Sequence, residues 1–253
     1  MNSLIESDNA AFAYAGRTVV KGLNFCLETG DYLCIVGENG SGKTTLVDGI
    51  LGLKQPCAGA IRYRPDLRRS SIGFLPQSRD LDRDFPANVS EIVLSGRLGH
   101  KGLAPFYTRA DRRAAAEALM MCGIKDQKKC FFGALSGGQK QRVLLARALA
   151  TAPDGLKLLI LDEPMNSLDP AAKSDLYALI AELNSCRQIT VIMVTHDVNT
   201  ALHYANKVLM LGSEQVFFGT SAEFLQTAGA RELLRDACAD NCAVCGLDHR
   251  PQA

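Results

Sequence analysis

Gly37-Glu38-Asn39-Gly40-Ser41-Gly42-Lys43-Thr44-Thr45 lies between the apolar run Tyr32-Leu33-Cys34-Ile35-Val36 and the segment Leu46-Val47-Asp48-Gly49-Ile50-Leu51. A buried strand, a glycine-rich turn and a helix start, in that order, are the context that a phosphate-binding loop requires. The spacing from Gly37 through Gly42 to Lys43 and Thr44 fits G-x-x-x-x-G-K-[ST] at every fixed position. Glycines let the chain turn back on itself so that successive N–H groups face an anion, and the helix N-terminus adds partial positive charge. Lys43 is placed to reach the β- and γ-phosphates of a nucleoside triphosphate, and the Thr44 hydroxyl to ligate Mg²⁺. The stretch predicts an α/β fold organised around a triphosphate site.

Upstream, Phe12, Tyr14, Val19, Val20, Leu23, Phe25 and Leu27 flank the turn Ala15-Gly16-Arg17 and predict an antiparallel hairpin before the first parallel strand. Tyr14 is a short way from the phosphate loop, where an aromatic ring can lie flat on a purine; a half-buried strand tyrosine fits the same pattern. Downstream, Ser71-Ile72-Gly73-Phe74-Leu75-Pro76 predicts a short strand with Gln77 just beyond it. The chain then changes character. Ser78 to Lys129 is turn-rich at first, has helical spacing from Ser90 to Leu98, and continues through a loop with Gly99, Gly102 and Pro105. Thr108-x-x-Asp111 resembles a capping box opening a helix that Gly123 closes. This block predicts a helical subdomain inserted over about 78–150.

Strands return with Leu158-Leu159-Ile160-Leu161, which ends in Asp162 and Glu163. Open α/β sheets bind ligands beyond the carboxyl ends of their strands. Asp162 is therefore expected to hold Mg²⁺ and Glu163 to act as general base toward the attacking water, although two helix-capping acids would look alike in isolation. Asp169 caps the next helix, Pro170 suits its first turn, and Leu176, Leu179, Ile180 and Leu183 form its apolar stripe. Ile189–Val194 predicts another buried strand, with His196 at its end facing a γ-phosphate, and Gln77 ends a strand where its amide oxygen can complete the Mg²⁺ shell. Val208–Leu211 and Val216–Phe218 predict a last hairpin around Gly212-Ser213.

A second anion site is encoded by Leu135-Ser136-Gly137-Gly138-Gln139, where a serine and two glycines open the helix running through Arg142 and Arg147. One nucleotide does not need two such cradles from one chain. The economical arrangement is a pair of chains, each offering this helix start to the nucleotide of the other.

The whole composition is that of an ordinary globular protein: 253 residues, 47% hydrophobic, 22% charged, net charge +1. So small a net charge gives no reason to expect a nucleic-acid partner. No apolar run reaches about 18 residues, and the start lacks the pattern of a secretory signal, so a cytosolic location is expected. Cys26, Cys34, Cys57, Cys122, Cys130 and Cys186 are scattered singly and are expected to be reduced thiols acting as small hydrophobes.

Over nearly its whole length, and with the motifs in their usual order, the chain resembles the ATP-binding cassette (ABC) ATPases. The resemblance implies a P-loop NTPase core with an N-terminal antiparallel β-subdomain and an inserted helical subdomain, over 1–230, followed by a cysteine-rich tail over 231–253. Tyr14 matches the aromatic that stacks on adenine, Gly37 to Thr45 the Walker A loop, and Gln77 the Q-loop glutamine. Ser136, Gly137, Gly138 and Gln139 match the signature motif that caps ATP in trans, Asp162 the Walker B acid, and Glu163 the catalytic glutamate. Ser167-Leu168-Asp169 match the D-loop, with Ser167 where alanine is common, and His196 matches the switch histidine. The family implies that two cassettes, here two identical chains, sandwich two ATP molecules, close on the γ-phosphate and reopen after hydrolysis. Motion then passes through the helical subdomain to separate membrane permease subunits, which work with an extracytoplasmic binding protein. This places the chain at the cytoplasmic face of the membrane.

Arg79 to Val89, with Asp84-Phe85-Pro86, followed by Glu91 to Arg97 and its final Gly96-Arg97, resembles the segment after the Q-loop in zinc and manganese importers. Iron-chelate, haem and cobalamin importers are the nearest alternatives, and a soluble cassette such as the iron–sulfur assembly ATPase is another class. A small-molecule kinase would share the phosphate loop but has no use for Leu135 to Gln139. The tail places Cys238, Cys242, Cys245 and His249 at spacings that can form a tetrahedral zinc site, or it is a mobile reduced tail.

Overall fold

The computed structural model describes residues 3–14, 16–77, 86–100, 106–152, 155–166, 168–231 and 233–234. Outside that set lie Ala15, Arg79 to Phe85 of the segment after Gln77, Gly102, Pro105, Ser167, and the tail residues Cys238, Cys242, Cys245 and His249.

Two sheets organise the chain. Strands β1 (Ser3–Tyr14) and β2 (Arg17–Glu28) pair antiparallel from Ser3↔Glu28 to Tyr14↔Arg17, with several bulges, and β4 (Ala58–Tyr63) adds to the other edge of β1. The larger sheet runs β5-β6-β7-β3-β8-β9. It contains β3 (Tyr32–Gly37), β5 (Ile72–Leu75), β6 (Leu158–Asp162), β7 (Thr190–Val194), β8 (Lys207–Leu211) and the antiparallel edge strand β9 (Gln215–Thr220). Helix α1 (Lys43–Ile50) follows β3 directly.

Every residue of β3, β6 and β7 is buried, and their side chains divide by period two between two cores. Leu33, Ile35, Leu158, Ile160, Ile192 and Val194 pack with α1 and the smaller sheet. Cys34, Val36, Leu159, Leu161, Val191 and Met193 pack on the helical side. A strand buried on both faces reads as an unbroken apolar run, which is why these three stand out in the sequence.

The helical block contains α2 (Val89–Ser95), α3 (Arg109–Met121) and α4 (Gly137–Leu149). Helix α2 stops at Ser95, earlier than Leu98, and the chain at Gly96 packs so closely that a Cβ there would stand 2.2 Å from the Arg147 carbonyl oxygen. Thr108 and Asp111 form the expected reciprocal capping box on α3, and Gly123 turns the chain at φ 64° just after it. Arg97 ties the block together. Its Nε donates to Asp111 Oδ1 at 2.9 Å, and its guanidinium reaches the carbonyls of Ala150 and Thr151 at 3.1 and 3.0 Å, with both charged side chains nearly fully buried.

Helix α5 (Pro170–Arg187) starts at Asp169, whose Oδ1 accepts from the Ala172 N–H at 3.0 Å, and it packs against α6 (Val198–Tyr204). Helix α7 (Ser221–Phe224) follows β9. Among the described residues no helix is long and apolar enough to cross a membrane. The single cysteines divide: Cys34 and Cys122 are core residues, and burial pushes both thiols up to about 12, whereas Cys57, Cys130 and Cys186 are exposed and do not pack as small hydrophobes.

Candidate functional site

The centre of the large sheet delivers the phosphate loop. Gly37 ends β3 where a Cβ would lie 2.2 Å from the Leu211 carbonyl oxygen, so no side chain fits there. Gly40 and Gly42 adopt φ 84° and 93°, the left-handed region that glycine enters without penalty. Gly42 is also the N-cap of α1 and makes no side-chain cap, so no side chain competes for the first-turn N–H groups. Lys43 is buried; its Nζ donates to the Gly37 and Glu38 carbonyls at 2.8 Å each, and burial holds its pKa below the usual lysine range. Ser41 Oγ is buried with no partner among the described residues. A folded-in ammonium, an orphaned hydroxyl and open helix N–H groups form a donor set that a polyphosphate completes. Glu38, Asn39, Thr44 and Thr45 fill the remaining loop positions, and Thr44 is exposed on the first turn.

Strand β6 carries Asp162 to the same end of the sheet. Its carboxyl group is buried and is pushed up to about 6, first by burial and then by the neighbouring Glu163 charge; Lys43 and a hydrogen bond with Thr44 oppose the shift. A buried carboxylate held this way, beside a threonine hydroxyl, fits a hard divalent cation such as Mg²⁺.

The next residue leaves the strand. Glu163 takes φ 50°, uncommon for a residue with a side chain, while its N–H stays on the Val194 carbonyl at 2.9 Å. Its carboxylate gathers three donors: His196 Nε2 at 2.7 Å, Gln77 Nε2 at 2.6 Å and Asn166 Nδ2 at 2.6 Å. Gln77 ends the β5 segment and His196 the β7 segment, so three neighbouring strands meet at one carboxylate. Asn166 was not anticipated; its only signal is its place three residues after Glu163 in the turn toward α5.

Elsewhere, Ser136 caps α4: its Oγ accepts from the Gln139 N–H at 3.3 Å while Gln139 Oε1 accepts from the Ser136 N–H at 3.1 Å. Gly138 approaches α5, where a Cβ would come within 3.0 Å of Ala172 Cβ. Among the described residues no hydrogen bond joins Ser136–Gln139 to the Gly37–Thr45 loop, so the two glycine-rich helix starts are separate. Tyr14 is not half-buried: its ring is 71% exposed, with Lys54 Nζ 4.8 Å from its centroid. Among the described residues no three His, Cys, Asp or Glu side chains cluster as metal ligands.

The fold and this loop define a nucleoside-triphosphate-binding α/β protein with a helical insert, whose helix α4 opens on the Ser136 capping box. The family model that matches residues 20–166 is that of the ABC transporter. The chain is 35% identical over 254 residues to the zinc uptake system ATP-binding protein ZurA of Listeria innocua, covering 95% of this chain and 98% of that protein. It is 38% identical over 218 residues to the manganese transport system ATP-binding protein MntB of Bacillus subtilis, covering 85% and 86%. An inward-facing ABC transporter structure described as of metal-chelate type matches with a TM-score of 0.82 at 34% identity, covering 93% of this chain and 90% of that one. The chain belongs to the ABC transporter family, and it is an ATPase of that family.

Proposed function

We propose that the chain is the ATP-hydrolysing subunit that energises import of a metal ion, zinc or manganese, through separate membrane subunits. The observation that carries the chemistry is the Glu163 carboxylate, held by Gln77, His196 and Asn166 beside Asp162 and Lys43. In this proposal Glu163 takes the proton of the attacking water, and His196 moves from Glu163 to the γ-phosphate. Lys43 leaves the Gly37 and Glu38 carbonyls for the β- and γ-phosphates, Ser41 and the loop N–H groups complete the cradle, and Tyr14 stacks on the base. Thr44, Asp162 and Gln77 would hold Mg²⁺, which when bound neutralises phosphate charge.

Two copies are proposed to share each nucleotide, with Ser136, Gly137, Gly138 and Gln139 of one chain facing the loop of the other and Asp169 near the crossing. The capping box at Ser136 fixes where α4 starts, and of the first-turn N–H groups it engages only that of Gln139, which leaves those of Gly137 and Gly138 for a ligand. Light scattering of Glu163→Gln with MgATP tests it: a nucleotide-dependent dimer is expected, and single chains at saturating nucleotide would reject the pairing.

The metal cargo rests on the likeness to the zinc and manganese proteins. Co-purification with a polytopic membrane protein, followed by zinc and manganese uptake in proteoliposomes, tests it; uptake of a metal chelate alone would favour the alternative that the metal-chelate-type structure suggests. The same proposal includes a zinc-binding tail, Cys238, Cys242, Cys245 and His249, acting as feedback on the ATPase. Zinc stoichiometry equal in wild type and Cys242→Ser would end that part.

A further inference from the structure

Gln141 lies one turn into α4, past the helix start at Ser136–Gln139, and it is a polar side chain inside the core, 6% exposed. Its amide Nε2 donates to the carbonyl of Pro164, the residue after Glu163. Pro164 is buried as well, and among the described residues no other hydrogen bond reaches its carbonyl. A buried carbonyl needs a partner, and this one finds it on another element rather than in its own turn.

The turn that Gln141 braces runs against local preference. Glu163 stands at φ 50°, in the left-handed region, and it precedes a proline, which steers the residue before it toward extended backbone. A residue with a side chain keeps such a conformation only where its surroundings over-determine it. On one side of Glu163, its N–H is fixed to the Val194 carbonyl of β7 at 2.9 Å. On the other side, the brace is Gln141. Helix α4 is itself fastened to α5: a Cβ on Gly138 would come within 3.0 Å of Ala172 Cβ, and Arg142 Nη2 stands 3.5 Å from Asp175 Oδ2. Where the Glu163 carboxylate points is therefore set by two anchors, one from β7 and one from α4.

We propose that Gln141 is a positioning residue for Glu163: its hydrogen bond to the Pro164 carbonyl keeps the left-handed turn that aims the carboxylate. Its part is played through the backbone, with no contact to the reacting atoms required. The inference rests on the reading of Glu163 as the base. The helix whose start is proposed to face the partner's nucleotide thereby also holds the base of its own chain.

Gln141→Met keeps the length of the side chain and removes the donor. The Kd for a non-hydrolysable MgATP analogue should stay within about twofold of wild type while kcat falls roughly tenfold, the factor that one buried hydrogen bond supplies. The decisive comparison is the same substitution in Glu163→Gln. If Gln141 acts through Glu163, adding Gln141→Met should change the residual single-turnover rate of Glu163→Gln by less than about twofold. Gln141→Asn keeps the amide but is one methylene shorter. It should lower kcat in the same way, and it answers the same comparison if the methionine variant does not fold. Wild-type kcat in either variant overturns the proposal. So does an equal fall in both backgrounds, which would mark Gln141 as a packing residue of α4. Hydrolysis by Glu163→Gln at the wild-type rate is a different failure: it removes Glu163 as the base, and this inference with it.

Discussion

His196 Nε2 donates to Glu163 Oε1 at 2.7 Å, so the side chain expected to meet the γ-phosphate and the side chain expected to activate water hold each other. Gln77 and Asn166 occupy the same carboxylate. Donors held on a carboxylate in this way can be exchanged onto a triphosphate that brings its own oxygens, and Lys43, now on two carbonyls, follows the same logic.

Lys43→Met should weaken MgATP binding by at least about tenfold, since charge-assisted hydrogen bonds contribute roughly 1.5–3 kcal/mol each. Calorimetric titration with a non-hydrolysable analogue measures it. An unchanged Kd would mean that the ammonium stays on the Gly37 and Glu38 carbonyls in the bound state.

Tyr14→Ala should cost roughly 1–3 kcal/mol of nucleotide affinity, and Tyr14→Phe should restore it, because stacking needs the ring and not the hydroxyl. The loss should be similar for ATP and GTP. A large loss for one base only would point to hydrogen-bond recognition instead.

Gly49 is where α1 meets β1. A Cβ there would stand 2.2 Å from Phe12 Cζ, so Gly49→Ala should destabilise the chain by about 1–3 kcal/mol, the usual penalty for overpacking. Denaturant unfolding measures the loss, and adding Phe12→Leu should recover part of it.

The Arg97–Asp111 pair sets a pH signature. The Thr108 hydroxyl and N–H, and then Arg97, hold the Asp111 carboxyl down to about 2. A folded-state value below the unfolded one, roughly 3.9, means the carboxylate's contribution is complete above that pH and disappears as pH falls toward about 2. The stability gap between wild type and Asp111→Asn should therefore be constant near neutrality and narrow below about pH 4. Arg97→Met, which strands the buried carboxylate, should cost about 3–5 kcal/mol at pH 7.

Much of this architecture is legible along the chain because its signals are local. Thr108 and Asp111 stand three apart, Asp169 precedes Pro170, and β3, β6 and β7 read as apolar runs because both their faces are covered. Strand β4 gives no such signal: Ala58–Tyr63 has no buried residue and is mostly exposed, and it exists because the edge of β1 is there to pair with. Arg97 and Asp111 are 14 residues apart, and only the packing of α2 against α3 and α4 brings them together. Asn166 was missed for a related reason. Its role as a donor to Glu163 depends on the left-handed turn at Glu163, and a glutamate carries no sequence sign of a positive φ.

The most direct test is single-turnover and steady-state ATP hydrolysis by Glu163→Gln, with MgATP binding measured on the same preparation. Binding should be retained while turnover falls by roughly 10²–10⁴, the range over which a general base acts. Hydrolysis at the wild-type rate, with nucleotide bound normally, would show that the carboxylate at the meeting point of the three strands is not the base.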